Sequence, residues 1–337
     1  MSQIWLRCDL RSPHFGTPTP DLCRIAIEQA VWADKNGFDA VQLPEHHGSP
    51  DGYNPSPFLL AAAIAARTSR IRLHPSAVLL PLHDPIRVAE DTCVLDNISG
   101  GRVDLTIGLG YVPSEFAMFG VSLRDRATLA EAKLVALRKA LAGDRFEFEG
   151  RKVYVSPRPL QQPSPPIYIG GGVVAAARRA AIYGDGFLPS MIDDTMRDAY
   201  VSACHALGKN PGPIIDVVTG PQFIFVTEDP DEAWERIAPH ALYETNAYGK
   251  WAIETGTTMP FAKAVDLDAL KALGIYRVVT PEECVRLGQS LQASNSVMIF
   301  NPMIAGLPET MSWSSLELFA SKVLPKLRNE NTQLNCD

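Results

Sequence analysis

Residues 167 to 190 read IYIGGGVVAAARRAAIYGDGFLPS: an apolar triplet, three glycines, an alanine-rich segment and a second short apolar run. The triplet and the run from Gly186 to Pro189 have the length of buried strands, and the segment between them has that of a helix, so the stretch is one strand, helix, strand unit. Three glycines where the strand enters the helix admit two readings. Lacking Cβ atoms, they let an anion approach the unpaired N–H groups of a helix N-terminus. They can equally make a tight turn that serves helix packing.

Outward from this unit the alternation repeats. Strands are predicted at Ile4 to Leu10, Asp39 to Leu43, Ile71 to Leu80, Val103 to Leu109, Ile167 to Gly170, Gly186 to Pro189, Ile214 to Val226 and Ser296 to Phe300, eight in all. The helices carry their own punctuation. Thr19-Pro20 caps and opens the first and Asn36-Gly37 closes it. Ala130, Leu134, Leu137 and Leu141 recur at helical spacing before Gly143, and Leu316, Phe319 and Val323 repeat the device near the end. Eight parallel strands separated by helices most simply close as an α/β (β/α)8 barrel, a single domain of residues 1–337 with its chemistry at the C-terminal strand ends. Two stretches interrupt the pattern. Residues 144–166 read as a hairpin turning at Glu149-Gly150 and a proline-rich connector, and 243–276, without a strong period, as a lid inserted before the eighth strand.

Composition narrows the function. The net charge of −7 and the lack of any clustered Lys/Arg run argue against a nucleic-acid surface. Six cysteines, far apart and without a C-x-x-C pair, point to a reducing cytoplasm rather than a zinc ribbon or a secreted disulfide framework. The opening MSQIWLRCDLRS is too polar for a secretory leader, and the longest apolar stretch, Phe58 to Ala66, falls short of the roughly 20 residues a membrane span needs. No membrane or nucleic-acid partner is expected.

Directly behind the second strand stand Glu45-His46-His47, in VQLPEHHGSPDGYNPSPFLL. Neighbouring residues of an extended chain point to opposite sides, so the two histidines cannot both face the barrel mouth. A two-histidine metal clamp would take H-x-H on a strand or H-x-x-x-H on a helix, and neither spacing occurs, so no metal is expected. A pocket role for His46 and a structural polar loop remain. Asp96, Arg102 and the NISGGR turn read as braces, and His74 as core.

Taken in order, GFDAVQLPEHH, SAVLLPLHDPIRVAEDTCVLDNISGGRVDLTIGLGYVPSEFAMFG, the glycine-rich unit above, TPEEC and SLELFASKVLPKLR resemble the bacterial luciferase-like family of flavin-dependent oxidoreductases, over about Ile4 to Arg328. That family's fold is also a (β/α)8 barrel. The resemblance implies a catalytic role for His46, with Glu45 beside the flavin, and a non-prolyl cis peptide at Ser76-Ala77 under the flavin ring. Leu109-Gly110, Gly170-Gly171-Gly172, Val173 and Ser190 would complete the cofactor site, and Phe15, Tyr111, Phe187 and Met191 an apolar substrate pocket. In luciferase-type FMN enzymes an arginine that pairs with the cofactor phosphate stands where this chain has Leu109.

Three functions follow from the resemblance. One is a monooxygenase using reduced FMN and dioxygen on a small apolar organic substrate, supplied by a separate flavin reductase. A second is hydride transfer with the deazaflavin coenzyme F-420. A third is a non-catalytic flavin-binding or partner subunit. The family also makes a homodimer the expected assembly.

Overall fold

Short apolar strands and helices alternate along the chain in a computed structural model, which describes residues 3–190, 194–215, 223–256, 261–294 and 296–328. The strands are β1 (Ile4–Arg7), β2 (Ala40–Leu43), β3 (Arg72–Leu79), β4 (Leu105–Gly108), β5 (Phe146–Phe148), β6 (Arg151–Val153), β7 (Ile167–Gly171), β8 (Gly186–Pro189), β9 (Phe223–Val226), β10 (Tyr276–Val279) and β11 (Met298–Phe300). The class is α/β. Two compact units share the chain: the first comprises Met1–Ala40, Pro50–Tyr53 and Asp216–Asp337, the second Val41–Ser49 and Asn54–Ile215.

In the second unit the strand order is β2-β3-β4-β7-β8. The pairings β3/β4, β4/β7 and β7/β8 are all parallel, and helices span the connections. Nearly every residue of these strands is buried, which is why they read as unbroken apolar runs rather than alternating ones. Helix Arg126–Ala142 buries Ala130, Leu134, Leu137 and Leu141, the face its spacing implies, and stops at Gly143 with φ +76°. β5 and β6 pair antiparallel around Glu149-Gly150. Arg102 braces this unit by donating to the carbonyls of Ala65, Thr68, Ile71 and Ser99, and Asp96 accepts from the backbone and side chain of Gln161.

In the first unit β1 pairs with β11, and β9 with β10, both in parallel. Phe38, Phe300 and Phe319 form an aromatic centre with ring separations of 5.6, 5.7 and 4.4 Å. Each such ring contributes about 1.5–3 kcal/mol by leaving water. Leu316, Phe319 and Val323 are all fully buried.

Four differences from the sequence reading have local causes. β1 ends at Arg7 rather than Leu10, because Leu10 takes a left-handed conformation, φ +61°, that no strand continues through. Thr19 is the first helical residue of Thr19–Lys35 and makes no capping bond; Pro18 precedes it at the N-cap. The 243–276 stretch is not aperiodic: its first part completes the 26-residue helix Pro230–Thr255, and its last residue begins β10. That helix buries Ile237, Ala241, Glu244, Thr245, Tyr248 and Gly249, a face whose polar and glycine positions conceal the apolar period. β10, YRVV, is broken by the exposed Arg277, so it does not stand out as an apolar run. Of the seventh predicted strand, β9 is its end and Ile214 makes an isolated parallel bridge to Phe187, while 216–222 lie outside the described residues. No helix among the described residues is long and apolar enough to cross a membrane.

Candidate active site

The loop after β2 is pinned before it does anything else. Asn54 Nδ2 donates to the Pro44 carbonyl (3.1 Å) and the His46 amide donates to the Asn54 carbonyl (3.1 Å), so Glu45-His46-His47 is held from both sides. His46 Nδ1 lies 2.7 Å from Glu115 Oε1, which also accepts from the His47 amide at 3.0 Å. A carboxylate partner keeps the imidazole proton on Nδ1 and makes Nε2 the basic nitrogen. Glu115 is 1% exposed and sits in the short helix Pro113–Met118 after β4; its Oε2 has no hydrogen-bond partner. The Tyr111 ring stands edge-on to His46 at 5.9 Å.

Glu45 points elsewhere. Its Oε1 meets His47 Nε2 at 2.6 Å and His83 Nε2 at 2.5 Å, and its Oε2 accepts the Leu79 amide at 3.1 Å. Burial pushes the carboxyl pKa up, but the hydrogen bonds and charge of His47 and His83 outweigh it and hold the pKa below the ordinary value. With both oxygens engaged, Glu45 ties the loop to the end of β3. His83 completes a group of possible metal ligands with Glu45 and His47, a convergence that local spacing does not disclose.

The expected cofactor residues come together along neighbouring strand ends. The Ser76-Ala77 peptide is cis, and the β3/β4 register slips between Ser76 and Val78. Gly108 on β4 faces this slip: a Cβ there would come within 2.9 Å of Ala77 Cβ. Leu109 and Gly110 follow, partly exposed, with Gly110 at φ +72° against Phe116. On β7, a Cβ at Gly170 would lie 3.2 Å from Thr106 Cγ2, and one at Gly172 would lie 2.5 Å from Ser190 Oγ. Ser190 donates its amide to the Gly171 carbonyl at 3.1 Å. Val173, 61% exposed, is the N-cap of helix Val174–Tyr183 and makes no side-chain capping bond.

The expected substrate pocket is divided. Tyr111 lies against His46, but Phe187 is fully buried against Tyr200 at 5.7 Å and is a packing residue, because its side of β8 faces a helix. Phe15, in the first unit, is 45% exposed and packs on His240 and Tyr243. Met191 lies outside the described residues.

The first unit holds a polar cluster that sequence reasoning missed. Arg7 donates to the hydroxyls of Tyr53 and Tyr248, and Arg11 stands 2.9 Å from Asp51 and over the rings of Tyr53 and Tyr248. Glu244 is fully buried, and among the described residues only the Tyr276 hydroxyl offers its carboxyl a hydrogen bond. Burial first, and then the charge of Asp9, push its pKa up to about 8 against the pull of Arg11 and Arg7.

Parallel strands with a histidine–carboxylate pair and a glycine-rich turn at their C-terminal ends define an α/β protein with a candidate site at its strand ends. Residues 11–293 match the model of the luciferase-like monooxygenases, and the chain belongs to that family. A curated relative, the oxygenase component of the flavin-dependent trigonelline monooxygenase of Acinetobacter baylyi, is 32% identical over 150 residues, 42% of this chain and 41% of that one. The chain spans about half the length of the curated relatives it first matches, 48% and 50%. Among solved structures, monooxygenase RslO1 from Streptomyces bottropensis superposes with a TM-score of 0.78 at 25% identity, over 96% of this chain and 99% of that one. An F-420-dependent secondary alcohol dehydrogenase, at TM-score 0.73 and 17% identity over 97% and 99% of the two chains, shares the fold.

Proposed function

We propose that this chain is a flavin-dependent monooxygenase that uses reduced FMN and dioxygen on a small apolar organic substrate, receiving the flavin from a separate reductase. The observation that carries the reading is the row of strand ends: the slipped Ser76-Ala77 segment opposite Gly108, followed by Gly170-Gly171-Gly172 beside Ser190, with a helix N-terminus that no side chain of its N-cap residue caps. These residues fit a phosphate-bearing flavin. The backbone N–H groups after Gly172 would hold the phosphate, and Ser76, Ala77, Gly110, Val173 and Ser190 would line the remainder. Bound there, a reduced flavin supplies the two electrons with which dioxygen is split between substrate and water.

The chain's own contribution is proton handling and positioning. His46, its Nδ1 fixed by Glu115, accepts or delivers a proton at Nε2. Tyr111, edge-on to His46, shapes the apolar side of the pocket, and Phe15 is retained as a candidate substrate contact. The relative described as an oxygenase component supports a reductase partner. The reading includes closure of the strands as a (β/α)8 barrel, a homodimer, and a cytoplasmic location. The last agrees with five unpaired cysteines among the described residues.

Leu109 favours a second reading, hydride transfer with coenzyme F-420. A leucine offers a phosphate no charged partner, so FMN would rest on neutral amides and bind at about micromolar strength. Titration of the purified chain with reduced FMN under anaerobic conditions, and separately with the deazaflavin, decides between them. Saturable binding of reduced FMN, followed by oxygen uptake, is expected. Tight deazaflavin binding with no saturation by FMN would replace monooxygenation by hydride transfer, and binding of neither would leave the non-catalytic subunit.

A further inference from the structure

Glu45, His47 and His83 remain without a part in this reaction, yet among the described residues they are the group of His, Cys, Asp and Glu side chains whose ligand atoms converge closely enough to hold a metal ion. Glu45 Oε1 lies 2.6 Å from His47 Nε2 and 2.5 Å from His83 Nε2, and the three atoms all fall within 4.8 Å of one another. We propose that Glu45, His47 and His83 form a binding site for a divalent transition-metal cation of the zinc and nickel class.

Charge is the first argument. Glu45 is 2% exposed, and among the described residues no lysine or arginine pairs with it; only the two imidazoles face it. A buried carboxylate is stabilised by a positive partner, and two imidazoles with one carboxylate are a donor set that a metal cation completes. Two ring nitrogens and one oxygen select zinc, nickel, copper or iron over magnesium and calcium, which take oxygen alone.

Geometry is the second. Ligand atoms on such a metal stand about 3 Å apart, since each bond is roughly 2.0–2.2 Å long. The hydrogen-bonded separations therefore have to open by less than ~1 Å for a cation to displace the Nε2 protons. His83 can supply that movement, because its side chain is 30% exposed, while Glu45 and His47 stay fixed. The Leu79 amide holds Glu45 Oε2 at 3.1 Å, and the Phe119 ring packs on His47 at 4.6 Å; such supports orient ligands in metal sites. Entry is open as well. His83 lies in the wall of a cavity of about 720 Å³ between the 81–85 turn and the β5–β6 hairpin. Three protein ligands leave a coordination position for water.

The test uses the full chain stripped with chelator, titrated with zinc against a competing indicator and with cobalt followed by visible absorption. One ion per chain at micromolar affinity or tighter is expected, with a cobalt spectrum of nitrogen and oxygen ligands. His83→Ala changes a half-exposed residue, and it should weaken zinc binding by about 100-fold or more. His205→Ala, an exposed histidine outside the group, should leave it unchanged. Zinc should raise the melting temperature of the wild type and not that of His83→Ala. Equal affinity in wild type and His83→Ala, or loss of binding in His205→Ala instead, would overturn the site. Neither result touches the flavin titration, so the two proposals fail separately.

Discussion

Glu45 and Glu244 are both buried carboxyls, 2% and 0% exposed, and the chain treats them in opposite ways. Around Glu45 three donors converge, His47, His83 and the Leu79 amide, and they hold its pKa down. Around Glu244 no N–H group converges and among the described residues only the Tyr276 hydroxyl offers a hydrogen bond, so burial with Asp9 nearby raises its pKa to about 8 although Arg11 and Arg7 are close. The lesson is that aimed N–H groups decide the protonation state of a buried acid, while unaimed positive charge in the vicinity does not overcome desolvation. The first carboxyl can act as a fixed anion; the second holds a proton at neutral pH.

The strongest way to break this contrast is Glu45→Ala. It strands two imidazoles and an amide, and should cost about 3 kcal/mol or more in urea unfolding. An unchanged midpoint would mean that water replaces the carboxylate and that its donors were not aimed.

Next comes the neighbouring pair. His46→Ala should lower turnover about 100-fold with the fold retained, the usual scale of acid–base assistance. His47→Ala, whose ring serves Glu45, should lower it far less. Equal losses in the two variants would move the proton-handling role away from His46.

Glu244→Gln tests the other half. Because the folded pKa is raised from 4.5 to about 8, the folded chain holds the proton more tightly than the unfolded chain. That stabilisation is complete below pH 4.5 and is lost as pH rises towards 8. The amide should therefore match the wild type in acid and exceed it by about 1–2 kcal/mol at the alkaline end, by urea midpoints across pH. Parallel stability curves for the two proteins would mean that Glu244 is already ionised.

The smallest effect belongs to His74, buried beside Thr106 Oγ1 at 2.7 Å, with its pKa lowered by burial from 6.5 to about 4. Its contribution is present above pH 6.5 and is lost as pH falls through 4. His74→Gln should flatten that acid limb slightly, visible as a shallower fall of melting temperature between those pH values.

The fold was legible where strands are short, apolar and bounded. β3, β4, β7 and β8 lie within two residues of their predicted ends. It was illegible where burial falls on polar residues, as in the helix carrying Glu244, Thr245 and Gly249, or where an exposed charge interrupts a strand, as Arg277 does β10. The candidate site divides in the same manner. His46 and the glycines carry local patterns, but Glu115 and His83 acquire their meaning only from partners 69 and 38 residues away in the chain. A glutamate in the first turn of a short helix looks like any solvated acid until the fold buries it.

Gly108 has a use outside this molecule. The absent methyl lets Ala77 approach across the β3/β4 slip, and even the smallest side chain would enter at 2.9 Å. The letter at that one position in a relative therefore reports, before any coordinates are known, whether its third strand has room to carry the same slip.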